Sequence, residues 1–125
     1  MKFRLARHTK NLQLIVDFYC TILGLEILGS FENHENYDGI FIGKPNSDWH
    51  LEFTVSDEMP KHQADEDDLL VFYPENEDEF EEIIAKFKSN NIQSITSKNP
   101  YWNANGVTYN DPDGFRIVIA KKNKL

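Results

Sequence analysis

The sequence predicts an α+β fold: two βαβββ modules that form a cupped mixed β-sheet with the helices outside. Three observations carry this. Strand-like runs and amphipathic helical stretches occur in the same order in each half of the chain. An acidic, element-poor segment separates the halves. The chain of 125 residues is one domain long, whereas half of it could not bury both a helix face and a sheet. The expected single domain spans 1–125, with module one over 1–55, a linker over 56–67 and module two over 68–121.

Phe3 to His8 alternates in polarity and predicts a strand. From Asn11 the period changes: Leu12, Ile15, Val16, Tyr19, Ile22 and Leu23 form the apolar stripe of a helix. Gly24 follows where a left-handed cap is expected. Leu25 to Phe31, Tyr37 to Ile42 and Trp49 to Val55 read as three strands. Asp38-Gly39 and Pro45-Asn46 lie near the breaks and favour bends.

The second half repeats the order. Leu69 to Tyr73 is a short apolar strand stopped by Pro74. Asn76 with Glu79 resembles a capping pair, and Phe80, Ile83, Ile84 and Phe87 form a second helical stripe. Ile92 to Ile95, Gly106 to Tyr109 and Phe115 to Ala120 read as strands, with Asn99 to Asn103 as a loop. Asp111-Pro112-Asp113-Gly114 is a tight turn before the last strand.

The charge is uneven. The net charge is −8, yet residues 57–82 hold twelve acidic residues against Lys61 alone, a local charge of −11. This balance excludes a general nucleic-acid or anionic-membrane binder, because both partners are polyanions. No apolar run approaches the roughly 18 residues of a membrane span. A single cysteine, Cys20, forbids an internal disulfide and fits a reducing cytoplasm. It falls within a helical stripe and reads as a packing residue, not a nucleophile. Phosphate-loop, zinc-ribbon, zinc-protease and serine-hydrolase motifs do not occur.

Two motifs resemble those of a known family. Asp17-Phe18-Tyr19 followed by Leu23-Gly24-Leu25, and Asp111-Pro112-Asp113-Gly114 ahead of an apolar strand, are similar to the signatures of the glyoxalase, bleomycin-resistance and extradiol-dioxygenase (vicinal oxygen chelate) superfamily. The resemblance implies a glyoxalase-like fold around a small-molecule cavity, and a homodimer. Enzymes of the superfamily hold a divalent metal on the first and last strands of each module, whereas other members sequester a drug without metal. The resemblance places those four positions on Arg4, Glu52, Asp68 and Val118. Only Glu52 and Asp68 offer donors, Val118 offers none, and Arg4 repels a cation. The expectation is therefore no cofactor, with the Arg4 guanidinium bridging Glu52 and Asp68.

Strand alternation gives an expected cavity lining of Arg4, His8, His50, Glu52, Asp68, Phe72, Arg116 and Val118. From these, Arg4, His50, Glu52, Asp68 and Arg116 are the candidate ligand-binding residues. Tyr101 and Trp102 join them as aromatics in a polar loop that could close over a ligand. The structural alternative is that the charged residues only hold the cavity together and the two aromatics only anchor their loop. The expected function is a metal-independent small-molecule binder similar to bleomycin-resistance members. The alternative is an enzyme with one divalent metal ion, a lyase, isomerase or dioxygenase, in which His8, His50 and Glu52 contribute ligands. A third reading makes the acidic 57–82 face a partner surface.

Overall fold

A computed structural model describes residues 1–121. The chain folds as two compact units that meet in sequence between His62 and Gln63. The first holds β1 (Phe3–His8), α1 (Leu12–Val16), a π-helical segment (Asp17–Ile22), β2 (Glu26–His34), β3 (Tyr37–Gly43) and β4 (Trp49–Val55). Its four-stranded sheet runs β1-β4-β3-β2. β1 lies parallel to β4, and β3 is antiparallel to both β4 and β2.

The apolar stripe acts as expected. Asn11 caps α1 by accepting a hydrogen bond from Leu14 N at 3.1 Å. Ile15, Phe18, Tyr19, Ile22 and Leu23 are buried, as are Ile40, Ile42, Leu51 and Phe53 on the sheet. The Tyr19 and Phe53 rings sit 5.2 Å apart. Each buried side chain of this kind stabilises by about 1.5–3 kcal/mol, whereas a helix this short is marginal alone. Packing on the sheet therefore holds the helix. Gly24 ends it with a left-handed φ of 90°, its amide bonded to Cys20 O at 3.1 Å.

Pro45-Asn46 forms the expected bend, with Asn46 left-handed and Ser47 N reaching Lys44 O at 3.3 Å. Asp38-Gly39 lies beside the other bend, within β3. The β2–β3 turn sits at Glu35-Asn36, whose φ values of 51° and 71° are both left-handed, the twist a tight hairpin needs. Asp38 supports that turn from inside β3 by accepting from Asn33 N at 2.7 Å. Gly39 lies inside β3 because the Phe31 ring covers it, leaving no room for a Cβ.

The second unit holds β5 (Leu69–Phe72), α2 (Glu77–Ser89), α3 (Pro100–Asn105), β6 (Gly106–Asn110) and β7 (Arg116–Ala120), with sheet order β5-β7-β6. β5 is parallel to β7 and β6 antiparallel to it. Asn76 caps α2 by accepting from Glu79 N at 2.8 Å. Glu77, Asp78 and Glu79 in its first turn and Lys86 and Lys88 in its last complement the helix dipole. Phe87 of α2 stacks on Tyr109 of β6 at 3.8 Å, fixing which sheet face the helix covers.

Two expectations for this unit change. Ile92 to Ile95 is not a strand: a single bridge joins Ile95 to Thr108, through Ile95 N and Thr108 O at 2.8 Å. The segment expected as a loop over 99–103 lies mostly in α3. Asn99 accepts from Tyr101 N at 3.0 Å as its cap, and Pro100 stands in the first turn, where its missing N–H costs nothing.

The turn at 111–114 forms as read. Asp111 is 5% exposed, and its Oδ1 accepts from Asp113 N at 2.9 Å and Phe115 N at 3.0 Å. Gly114 supplies a φ of 86°. Asp111→Ala leaves both amides without that acceptor and is expected to cost about 2 kcal/mol in urea denaturation. Asp111→Asn keeps an Oδ1 acceptor and is expected to lose clearly less. Equal losses for the two variants would contradict this role.

Candidate functional site

Residues paired across neighbouring strands share a face of the sheet. In the first unit Arg4 pairs with His50, Ala6 with Glu52, and Phe41 with Glu52. α1 covers the opposite face, that of Leu51 and Phe53. Arg4, Phe41, His50 and Glu52 therefore meet on the side away from that helix.

The cluster is tightly specified. Arg4 Nε donates to His50 Nε2 at 2.8 Å. Arg4 Nη1 donates to Glu52 Oε1 at 3.4 Å. The guanidinium carbon stands 4.8 Å from the Phe41 ring centre, and the His50 ring meets Phe41 edge-on at 5.9 Å. An arginine is always a charged donor, so His50 Nε2 must present its lone pair. Its ring proton is thereby assigned to Nδ1. Arg4 keeps half its side chain exposed, at 49%, and Glu52 only 15%. A ligand can thus reach the guanidinium while the carboxylate stays sheltered beneath it.

Phe31, Tyr37 and Phe41 extend this face as an aromatic row. Phe31 lies 5.8 Å from Phe41, and Tyr37 meets His8 at 5.7 Å. Sequence reading passed over these residues. The signal was present: Tyr37, Gly39, Phe41 and Gly43 alternate with Ile40 and Ile42, which belong to the buried face.

His8 stands apart from the cluster. It pairs with Thr54 at the end of β1, Nδ1 to Thr54 Oγ1 at 2.8 Å. Its Nε2 meets Glu58 O at 2.9 Å and Ser56 Oγ at 3.1 Å. It ties the linker to the strand end, four residues along β1 from Arg4. His8, His50 and Glu52 therefore do not assemble as a triad. Among the described residues no three His, Cys, Asp or Glu side chains converge so as to hold a metal ion.

The donor set also fails to fit a divalent ion. The lone pair of His50 Nε2 and an oxygen of Glu52 both receive protons from Arg4, whose fixed charge would repel a cation. No catalytic step through a metal is derived for these residues.

In the second unit the register corrects the expected lining. Leu69 pairs with Arg116 and Val71 with Val118, so Leu69 and Val71, not Asp68 and Phe72, share the Arg116 face. The alternation in β5 is shifted by one residue because buried apolar residues lie on both faces of β7, and pattern alone could not orient β5. Asp68 is exposed ahead of the strand, its amide bonded to Asp65 O at 3.0 Å. Arg116 pairs instead with Glu66, Nη2 to Oε2 at 3.3 Å. Val118 is fully buried. On α3, Tyr101 is exposed and Trp102 half-buried, their rings edge-to-face at 4.9 Å. Asn103 clamps α3 to Ser97 through two hydrogen bonds of 2.8 and 3.0 Å.

Two units of this topology, with the motifs at 17–25 and 111–114 closing the first helix and opening the last strand, define a glyoxalase/bleomycin-resistance fold of the vicinal oxygen chelate superfamily. Within it the chain belongs to the YycE-like family: residues 3–54 match the YycE-like N-terminal domain and residues 67–121 the YycE-like C-terminal domain. It is 43% identical over 119 residues to the uncharacterized protein YycE of Bacillus subtilis, covering 94% of this chain and 86% of that one. A crystal structure of a YycE protein of unknown function from Bacillus subtilis, suggested to be a glyoxalase or fosfomycin-resistance protein, superposes with a TM-score of 0.89 at 41% identity, over 99% of this chain and 91% of that chain. The trypanothione-dependent glyoxalase I of Leishmania major shares the fold at a TM-score of 0.74 and 19% identity, over 95% and 84% of the two chains. TnmS3, an antibiotic-binding protein from Streptomyces sp. CB03234, does so at 0.69 and 16%, over 98% and 96%.

Cys20 lies in the π-helical segment, half-buried, and burial pushes its thiol above the ordinary range. The thiolate is the reactive form, so it is scarce near neutrality. Native protein is expected to react with a disulfide reagent more slowly at pH 8 than urea-unfolded protein, with its rate still rising where the unfolded thiol has levelled off. Equal rates in the two states would contradict the burial.

Proposed function

We propose that the chain is a metal-independent small-molecule-binding protein of this superfamily, similar in role to its bleomycin-resistance members. It works in the cytoplasm as a homodimer. The observation that carries the reading is the Arg4 guanidinium on His50 and Glu52. A cation is already built into the site as a side chain. What remains available is a half-exposed guanidinium edge above an aromatic row, which suits a planar ligand bearing a polar group.

TnmS3, an antibiotic-binding protein, supports small-molecule binding as a use of this fold. No described helix is long and apolar enough to cross a membrane.

Elemental analysis of protein purified without added metal is expected to find far less than one divalent ion per chain. About one tightly held ion per chain would overturn the proposal in favour of a metal enzyme. Arg4→Gln removes the charge from His50 and Glu52. That variant is expected to gain a zinc-dependent rise in melting temperature that the parent lacks. A zinc response of the same size in the parent would contradict the role given to Arg4.

A further inference from the structure

Among the described residues, three buried side-chain polar atoms have no hydrogen-bond partner: Ser97 Oγ, Thr108 Oγ1 and Arg116 Nη1. All three belong to the second unit. Buried polar groups are nearly always satisfied, so three orphans in one small unit need a reason. Ser97 is 3% and Thr108 2% exposed. Neither hydroxyl can be discounted as a solvated surface group.

The register relates them. Arg116 pairs with Asn110, and Thr108 pairs with Val118. Thr108 and Arg116 therefore share the sheet face away from α2 and stand on one diagonal, within reach of a long arginine side chain. Thr108 is also bridged to Ile95, and Ser97 follows two residues later, on the side of Thr108 remote from Arg116. Leu69, Val71, Val118 and Ala120 lie on that face with them, beside Asn110 opposite Arg116. Such surroundings strengthen a hydrogen bond made there.

We propose that Arg116 Nη1 and the Thr108 hydroxyl form an oxyanion-binding site, for which the Glu66 carboxylate of the acidic linker is a resident stand-in. The guanidinium fork matches a carboxylate or phosphate, which would take Nη1 and Nη2 together. At present Nη2 alone is engaged, at 3.3 Å, by a carboxylate that is 62% exposed. An exposed partner of that kind is held weakly. A ligand's anionic group displaces Glu66 and gains the inner N–H that Glu66 leaves unused. The hydroxyls of Thr108 and Ser97 then extend from the charged head. They select a ligand with hydroxyl or carbonyl oxygens next to its anionic group. The site names a ligand class for the binding function proposed above and rests on it, but uses no residue of the Arg4 cluster.

The test titrates inorganic phosphate, against sodium chloride of equal ionic strength, and reads melting temperature and calorimetric Kd. Phosphate is expected to stabilise the parent saturably, and chloride is not. Arg116→Gln and the isosteric Thr108→Val are each expected to weaken phosphate binding by about tenfold. Glu66→Gln, which removes the competing charge, is expected to tighten it by about threefold or more. Lys10→Gln, which removes an exposed surface charge outside both clusters, leaves the titration unchanged. Phosphate binding that survives both Arg116→Gln and Thr108→Val would overturn the site, as would no saturable binding in either the parent or Glu66→Gln. Loss of binding in Arg4→Gln would overturn it too, by placing the anion in the first unit. If Arg116→Gln does not fold, Thr108→Val and Glu66→Gln decide the matter, and their opposite shifts are the required result. The metal content of the purified protein is independent of all these outcomes, so failure here and failure of the metal-free reading remain distinct.

Discussion

The hydrogen bond from Arg4 Nε to His50 Nε2 organises the first unit's open face. It joins the edge strand β1 to β4 through side chains as well as backbone. It fixes the histidine tautomer and occupies the lone pair that a metal would need. It also brings Nη1 to Glu52 and seats the group over Phe41. A charge-assisted bond of this length is worth roughly twice a neutral one. A carboxylate as sheltered as Glu52 would be costly to leave unpaired. The same arginine thus settles charge, geometry and ligand access in this face.

The backbone makes that arrangement possible. β1 is short and pairs in parallel only with β4, so each of its residues faces a defined partner. The helix closes the other face with aromatic and aliphatic groups. Gly39 lets the Phe31 ring lie flat on the sheet, which carries the aromatic row up to Phe41. Fold and site are here one packing problem: apolar residues at alternate positions face α1, and the intervening ones are left to meet a ligand.

Much of the first unit was legible because its strands alternate. Leu51, Phe53 and Val55 against His50, Glu52 and Thr54 assign a face to each side chain, and the Arg4–Glu52 contact follows. The hairpin turn falls in the break left between the two strands, and Asp38, beside that break, serves the turn from within β3. In the second unit β7 is buried throughout apart from Arg116. A strand with apolar residues on both faces carries no alternation to orient its neighbour, so β5 was read one residue out and Asp68 was placed in the lining. α3 was missed because its helix signal is a cap and a proline over barely more than one turn. Ser97 and Thr108 had no sequence signal at all: what marks them is a missing partner, which only coordinates reveal.

The central claim is that an arginine, not a metal, holds His50 and Glu52. The most direct measurement is a long-range proton–nitrogen NMR spectrum of the His50 ring, with and without zinc. The account predicts a ring protonated at Nδ1, a bare Nε2 accepting from Arg4, and resonances that zinc does not move. A ring protonated at Nε2, or an Nε2 resonance that shifts to a metal-bound position on adding one equivalent of zinc, would contradict it.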